Sequence, residues 1–410
     1  MAIELSSLTF TNQADVVPAS GVEEISNTGM ANTLAGNDII NGTGKIFTPV
    51  YSNNSLFINI SGLYNNGTLN TANGNDIITG IVKDDVDLFY SHAGIFNYGT
   101  NGTNGTINTS DGNDIITGIF QTPGFDTYNS DNAGIYNLYA TINTGDGNDI
   151  ITGIVEEIIT DKSQVSAGIR IEYGTIDTGN GNDTITGTGI KDLGIAINYG
   201  TFDTGKGNDI ITGIGRSGIN NFMATFNTGD GKDIITGSTN ELYGWGIRNS
   251  GSMDTGNGND IITGTNIIGG GVGIWNEEGG NIDTGDGNDT ITAISQAGLY
   301  NFGNINTGNG ADSIILDGFN HIGSVFLGDN KDKFKGFGTG VLDGGNDKDT
   351  LELTSGSYTV EISGTAVKFT QRNSVGIDDI LTTSDFEILI AGSTTYGISS
   401  LIDGQIITVA

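Results

Sequence analysis

Residues 144–152 read Thr-Gly-Asp-Gly-Asn-Asp-Ile-Ile-Thr, and nearly the same nine residues return at 33–41, 71–79, 109–117, 178–186, 204–212, 228–236, 255–263, 284–292 and 307–315. Two degraded copies follow, Leu-Gly-Asp-Asn-Lys-Asp-Lys-Phe-Lys from Leu327 and Gly-Gly-Asn-Asp-Lys-Asp-Thr-Leu-Glu from Gly344. A unit that recurs every few tens of residues cannot bury its apolar face alone, so its copies must stack. The spacing of the sixth-position aspartates falls from 38 residues between Asp38 and Asp76 to 17 between Asp332 and Asp349. Coil length therefore varies, and the extra residues leave the stack as loops, the longest expected around Val82–His92, Phe120–Asn132 and Val155–Ser166.

Between the nonapeptides a second run recurs, as in Gly94-Ile95-Phe96-Asn97, Gly134-Ile135-Tyr136-Asn137 and Gly168-Ile169-Arg170-Ile171. Short alternating apolar pieces bounded by Gly, Asn and Asp are the pattern of strands and tight turns. Side chains on a strand alternate between its two faces. Position eight of the nonapeptide, from Ile40 to Ile314, is predicted to form an inward column, with Ile95, Ile135, Ile169, Ile195, Ile219, Ile247, Ile274 and Leu299 forming another. Two residues further on, Asn97, Asn137, Asn221, Asn249, Asn276 and Asn301 predict a ladder of stacked amides, broken in adjacent repeats by Ile171 and Ile197. The fold class expected is all-β, a parallel β-solenoid of the β-helix or β-roll type over residues 33–350, with an N-terminal cap at 1–32 and a C-terminal β-rich cap at 351–410.

The chain has 410 residues, with 48 Asp and Glu against 15 Lys and Arg, a net charge of −33 that disfavours binding to a nucleic acid. It has no cysteine, which excludes disulfides, thiolate metal sites and cysteine nucleophiles together. Its three prolines, Pro18, Pro49 and Pro123, all lie outside the nonapeptides, as a laddered backbone requires. No apolar run approaches the length of a membrane-spanning helix. Residues 1–10 show no basic stretch ahead of an apolar one, so no Sec-type leader is expected.

Stacking in register brings the sixth-position aspartates over one another: Asp38, Asp76, Asp114, Asp149, Asp183, Asp209, Asp233, Asp260, Asp289, Asp312, Asp332 and Asp349. Two carboxylates about 4.8 Å apart repel by roughly 3–4 kcal/mol at an effective dielectric of 20. A hard divalent cation held by aspartate and backbone oxygens would reverse that sign, and calcium tolerates irregular oxygen shells. Position-three acids, among them Asp111, Asp146, Asp230 and Asp286, are expected to join the same column.

These copies resemble the haemolysin-type (RTX) calcium-binding repeat, whose nonapeptide reads G-G-x-G-x-D-x-U-x with U a large apolar residue. The resemblance runs from about Thr33 to Glu352 and implies Ca2+ held between turns of adjacent coils. Two departures stand out. The first glycine is usually Thr here, and each coil carries one nonapeptide where the family's 18-residue coil carries two, so one calcium column is implied. Residues 351–410 resemble the C-terminal cap of secreted RTX proteins, and the absence of Lys and Arg after Arg372 is similar to an uncleaved type I secretion signal.

The function expected is that of a secreted or cell-surface, calcium-stabilised structural or adhesive protein, with a homo-oligomer or filament and a surface glycan as the partners left open. Thermal-hysteresis activity is one alternative: Thr79, Thr117, Thr152, Thr186, Thr212, Thr236, Thr263 and Thr292 at position nine, with Ile39, Ile77, Ile115, Ile150, Ile210, Ile234 and Ile261 at position seven, would form a regular strip if both point outward. A polysaccharide-acting β-helix enzyme is another, kept open by Arg170, Arg216 and Arg248. No catalytic constellation is apparent, since His92 and His321 are the only histidines and neither sits in a metal-binding or nucleophile motif. A third row, Phe96, Tyr136, Arg170, Ala196, Asn220, Arg248, Trp275 and Tyr300, is expected to be exposed and suited to glycans.

Overall fold

Along most of the described chain each alternating run pairs in parallel with the same run one repeat away, and this builds an all-β parallel solenoid. The computed structural model describes residues 2–18, 24–44, 46–52, 55–83, 91–100, 105–122, 132–157, 166–190, 192–239, 241–318, 320–372 and 376–410. The predicted loop tips at 84–90, 123–131 and 158–165 lie outside them. Among the described residues there is no α-helix, and none long and apolar enough to cross a membrane. Two compact units divide the chain, Met1–Gly229 with Gly237–Thr239, and Asp230–Thr236 with Asn240–Ala410.

In the first unit a coil has three strands. The nonapeptide strand lies in one sheet, where Ile78 stacks on Ile116, Ile151, Ile185 and Ile211. The long strand and a short one share a second sheet: Ile95, Ile135, Ile169, Ile195 and Ile219 form one column, and Ile107, Ile142, Ile176, Phe202 and Phe226 another. All of these side chains are fully buried, and each contributes about 1.5–3 kcal/mol relative to exposure. The two sheets approach closely because glycine faces glycine. A Cβ on Gly80 would sit 2.2 Å from the Gly94 carbonyl oxygen, and one on Gly94 would sit 2.5 Å from the Gly80 oxygen.

The predicted amide ladder is present. Asn27, Asn65, Asn97 and Asn137 are buried and pass Nδ2 to Oδ1 bonds along the stack at 2.8, 2.7 and 2.8 Å. The same amides also donate to corner carbonyls, Asn97 to Thr141 and Asn137 to Thr175, both at 2.8 Å. That anchors a corner where Tyr139, Tyr173 and Tyr199 take left-handed φ values of 51°, 52° and 54°, a conformation bulky residues rarely adopt. Their rings stack at 5.0 and 5.1 Å.

Parallel pairing reaches into residues 1–32, where Ile3 pairs with Ile25, Ile25 with Leu63 and Val16 with Ile39. In the second unit Ile262, Ile291, Ile314, Phe334, Leu351 and Leu389 continue as one inward column. Past Leu353 the pattern changes: Gly356–Ser363 runs antiparallel to Ala366–Arg372 and to Ile406–Val409. Asp378–Ser384 and Ile388–Ala391 still stack in parallel on the preceding coil.

The third outward row departs from expectation. Phe96, Tyr136, Arg170, Ala196 and Asn220 are all buried. Alternation correctly places them on the outer face, but Tyr64, Ala93, Tyr98, Ala133 and Leu138 close over the first two as an apolar cluster of their own, with the Phe96 and Tyr136 rings 5.4 Å apart.

Candidate functional site

The turn that opens each nonapeptide is built before its aspartate is placed. The Asn or Asp preceding the motif accepts the N–H of position two, as in Gly145 to Asn143 at 2.9 Å and Gly179 to Asp177 at 3.1 Å, an Asx turn. Position two is then left-handed, with φ of 82° at Gly145 and 77° at Gly179. Position-four N–H groups donate to the position-three carbonyl of the next coil, Gly147 to Asn180 at 2.8 Å and Gly181 to Lys206 at 2.7 Å. The turns thus stack as directly as the strands do.

Sixth-position aspartates fall two residues before the buried isoleucine and share its inward face. All twelve expected residues, Asp38 to Asp349, are at most 2% exposed. In the first unit the backbone N–H of each donates to Oδ1 of the next: Asp38 to Asp76 at 2.7 Å, Asp76 to Asp114 at 2.7 Å, then Asp114 to Asp149, Asp149 to Asp183 and Asp183 to Asp209 at 2.8 Å. The second unit repeats this from Asp233 through Asp260, Asp289, Asp312 and Asp332 to Asp349, each at 2.8 Å. Each column has an end that lies outside the nonapeptides. Asp15 N–H donates to Asp38 Oδ1, and Asp349 N–H to Glu387 Oε2, each at 2.8 Å. The signal was there in Asp15-Val16-Val17 and Glu387-Ile388-Leu389, an acid two residues before a core residue.

The second missed group is the position-one threonine. Thr33, Thr71, Thr109, Thr144, Thr178, Thr204, Thr228, Thr255, Thr284 and Thr307 are fully buried. Thr71, Thr178 and Thr204 donate Oγ1–H to Oδ2 of their own aspartates at 2.5, 2.6 and 2.6 Å, and Thr33 does the same to Asp38. Burial of the carboxyls dominates their acidity, opposed by these hydrogen bonds and reinforced by neighbouring aspartates. Asp76, Asp149 and Asp260 are pushed up to about 6, and Asp114, Asp183 and Asp312 to about 7.

The position-three acids do not join this column. Asp111, Asp146 and Asp286 are exposed and Asp230 is half-buried. They form an outer ladder in which Asp146 Oδ1 accepts from Asn180 Nδ2 at 2.7 Å, Asp230 from Asn257 at 2.7 Å and Asp286 from Asn309 at 2.5 Å.

Calcium takes six to eight oxygens at about 2.3–2.6 Å, and the threonine-bearing turns offer a poor donor set. Oδ1 is aimed at an amide proton, Oδ2 faces a hydroxyl, and the position-three carbonyls accept glycine N–H groups. Among the described residues no group of three or more acidic or histidine side chains is arranged to hold a metal.

On the nonapeptide sheet, positions seven and nine both point outward, joined by position eleven. In the first unit this gives three in-register columns, Ile77-Ile115-Ile150-Thr184-Ile210, Thr79-Thr117-Thr152-Thr186-Thr212 and Ile81-Ile119-Ile154-Thr188-Ile214. None of these residues is charged, and Ile150, Ile210 and Ile214 are more than 40% exposed. In the second unit Ile261, Thr263 and Thr265 pair with Thr290, Thr292 and Ile294, and the face becomes charged further on, where Lys333 and Lys335 bind Glu352 at 2.8 and 3.0 Å.

The arginines are held by their neighbours. Arg170 pairs with Glu172 at 3.1 Å and lies over Tyr136, while Arg248 pairs with Glu277 at 2.6 Å beside Trp245 and Trp275. Arg216 carries its charge near buried Asp192. His321 Nδ1 lies 2.8 Å from the Asn301 carbonyl oxygen, with its ring stacked on Phe302; the His92 side chain is outside the described set. No protein-family model matches the sequence, and no curated protein matches it.

Proposed function

We propose that this chain is a non-catalytic structural and adhesive solenoid, exported to the cell surface or the medium, whose uncharged Ile/Thr sheet face is its contact surface. The observation that carries the reading is that face: three registered columns without a charge in a molecule of net charge −33. Exposed apolar strips of this kind are contact sites more often than accidents, and a neutral partner, a glycan or a second copy, is what an uncharged strip admits. Export is supported by the acidic, Lys- and Arg-free segment after Arg372.

Replacing both Thr152 and Thr212 by Lys tests the reading without touching the core. The melting temperature is expected to hold, because isolated surface substitutions usually change stability by less than about 0.5 kcal/mol. Sedimentation and electron microscopy of the purified protein, together with glycan-array binding, are expected to show assembly or binding that the double variant loses. Equal behaviour of the two proteins in all these assays would defeat the contact role. A second reading, ice binding, is favoured by the threonine column itself, whose hydroxyls and methyls repeat at about 4.8 Å from coil to coil, with a mainly isoleucine column about 6.7 Å away on either side. Thermal hysteresis in the wild type and its loss in the same double variant would select it.

A further inference from the structure

We infer that the threonine-bearing coils are fastened through their aspartates by threonine hydroxyls and backbone amides instead of by calcium, so that the position-one threonine does in this solenoid what the ion does in the repeats it resembles.

The geometry supports this at three points. First, Oδ1 is already taken by an amide proton of the adjacent coil, at 2.7–2.8 Å, in every step within each unit. A cation at that oxygen would have to share it with the bond that sets the register. Second, the threonine hydroxyl lies between two acceptors. Thr178 Oγ1 is 2.6 Å from Asp183 Oδ2 and 3.4 Å from the Thr204 carbonyl oxygen of the next coil; Thr204 Oγ1 is 2.6 Å from Asp209 Oδ2 and 3.4 Å from the Thr228 oxygen. One hydroxyl thus links a carboxyl in its own coil to the backbone of the next. Third, the buried Oδ2 atoms without a donor include those of Asp114, Asp149 and Asp260, where Thr109, Thr144 and Thr255 turn their hydroxyls to the next carbonyl at 3.2–3.4 Å. A hydroxyl has one proton and two lone pairs, so a carboxyl that keeps its proton donates from Oδ2 to threonine while threonine donates onward. Each of these three carboxyls is then paired without a metal.

Two copies lie outside the inference. Leu327 and Gly344 stand at position one there, and the Oδ2 atoms of Asp332 and Asp349 have no hydroxyl to meet.

Equilibrium dialysis of the full chain against calcium, after chelator treatment, reads the difference directly. At most two bound ions per chain are expected, matching the two threonine-free copies, and the chelator-treated chain is expected to keep its strand circular dichroism. Binding close to one ion per coil, or a chelated chain that unfolds and refolds on adding calcium, would overturn the inference. A pair of variants tests the hydroxyl itself. Thr178→Val with Thr204→Val keeps the shape and removes the donor, and is expected to lower the melting temperature by several degrees; Thr178→Ser with Thr204→Ser retains the donor and is expected to stay close to wild type. Valine variants that melt with the wild type would remove the threonines from the account. Should the valine protein fail to fold, the serine protein and the dialysis still decide.

Discussion

A buried aspartate is ordinarily a liability, and Asp183 shows how this chain makes it a joint. Its Oδ1 accepts the Asp149 amide and its Oδ2 faces the Thr178 hydroxyl. Asp183→Asn offers the same shape with Oδ1 still accepting and Nδ2 donating to threonine, so it is expected to be nearly neutral in urea unfolding at neutral pH. Asp183→Ala strands a buried amide and a buried hydroxyl, each costing about 1–3 kcal/mol. An asparagine variant as damaged as the alanine one would argue that the column needs negative charge, hence a cation. The twelve aspartates were legible in the sequence, because they recur at a fixed place and sit two residues before a core isoleucine. The separation of the position-three acids was not legible. Two-residue alternation holds along a strand, but it does not survive a turn with a left-handed residue such as Gly145 inside it, so Asp146 cannot be assigned a face by counting back from Ile151. The threonines were visible only as departures from a glycine, with nothing in the sequence to say that their hydroxyls meet the carboxyls.

Among the elements, the long strand carries the clearest test of stacking, because its inward amides can be exchanged for apolar residues at known cost. The chain itself makes that exchange at Ile171 and Ile197, which stack on Asn137 and Asn221. Asn97 lies inside the ladder, receiving from Asn65 and donating to Asn137, whereas Asn137 lies at its end against Ile171. Asn97→Ile therefore breaks two ladder bonds and one corner bond and leaves the buried Asn137 Oδ1 without its donor, while Asn137→Ile breaks one ladder bond and two corner bonds, to Ala140 and Thr175. Chemical denaturation is expected to rank Asn97→Ile as the more destabilising, by about 1 kcal/mol, the lower end of the cost of orphaning a buried acceptor. Equal losses would mean that the amides act singly on their corner carbonyls and that the ladder adds nothing. Both columns of this strand were readable from alternation. That Phe96 and Tyr136 are covered was not readable, because alternation gives a side chain's direction and says nothing of what lies above it.

For the whole molecule the consequence is a dependence on pH opposite in sign to that of a protein held by paired carboxylates. Asp76, Asp149 and Asp260 hold their protons in the folded chain to about pH 6, and Asp114, Asp183 and Asp312 to about pH 7, whereas unfolded aspartates release theirs near 3.9. Between those values the folded state binds more protons, so stability falls as pH rises. The contribution is fully present below the ordinary aspartate range and is lost as pH climbs through about 6 to 7. Glu4, Asp146 and Glu352, held below their usual ranges by hydrogen bonds and, for Glu352, by Lys333 and Lys335, act in the other direction but are exposed or partly exposed groups. Self-repulsion at net charge −33 also weakens the folded state as pH rises, but salt screens exposed charges far more than buried ones. Melting curves in about 1 M salt, where the screening length is about 3 Å, should therefore still show a lower transition temperature near pH 8 than near pH 5. In that salt Asp114→Asn with Asp183→Asn should flatten the slope, since the remaining carboxyls still titrate but two of the highest no longer do. A transition that instead rises with pH, and rises further with calcium, would mean that the folded interior prefers ionised carboxylates and that protons are not what quiets the column.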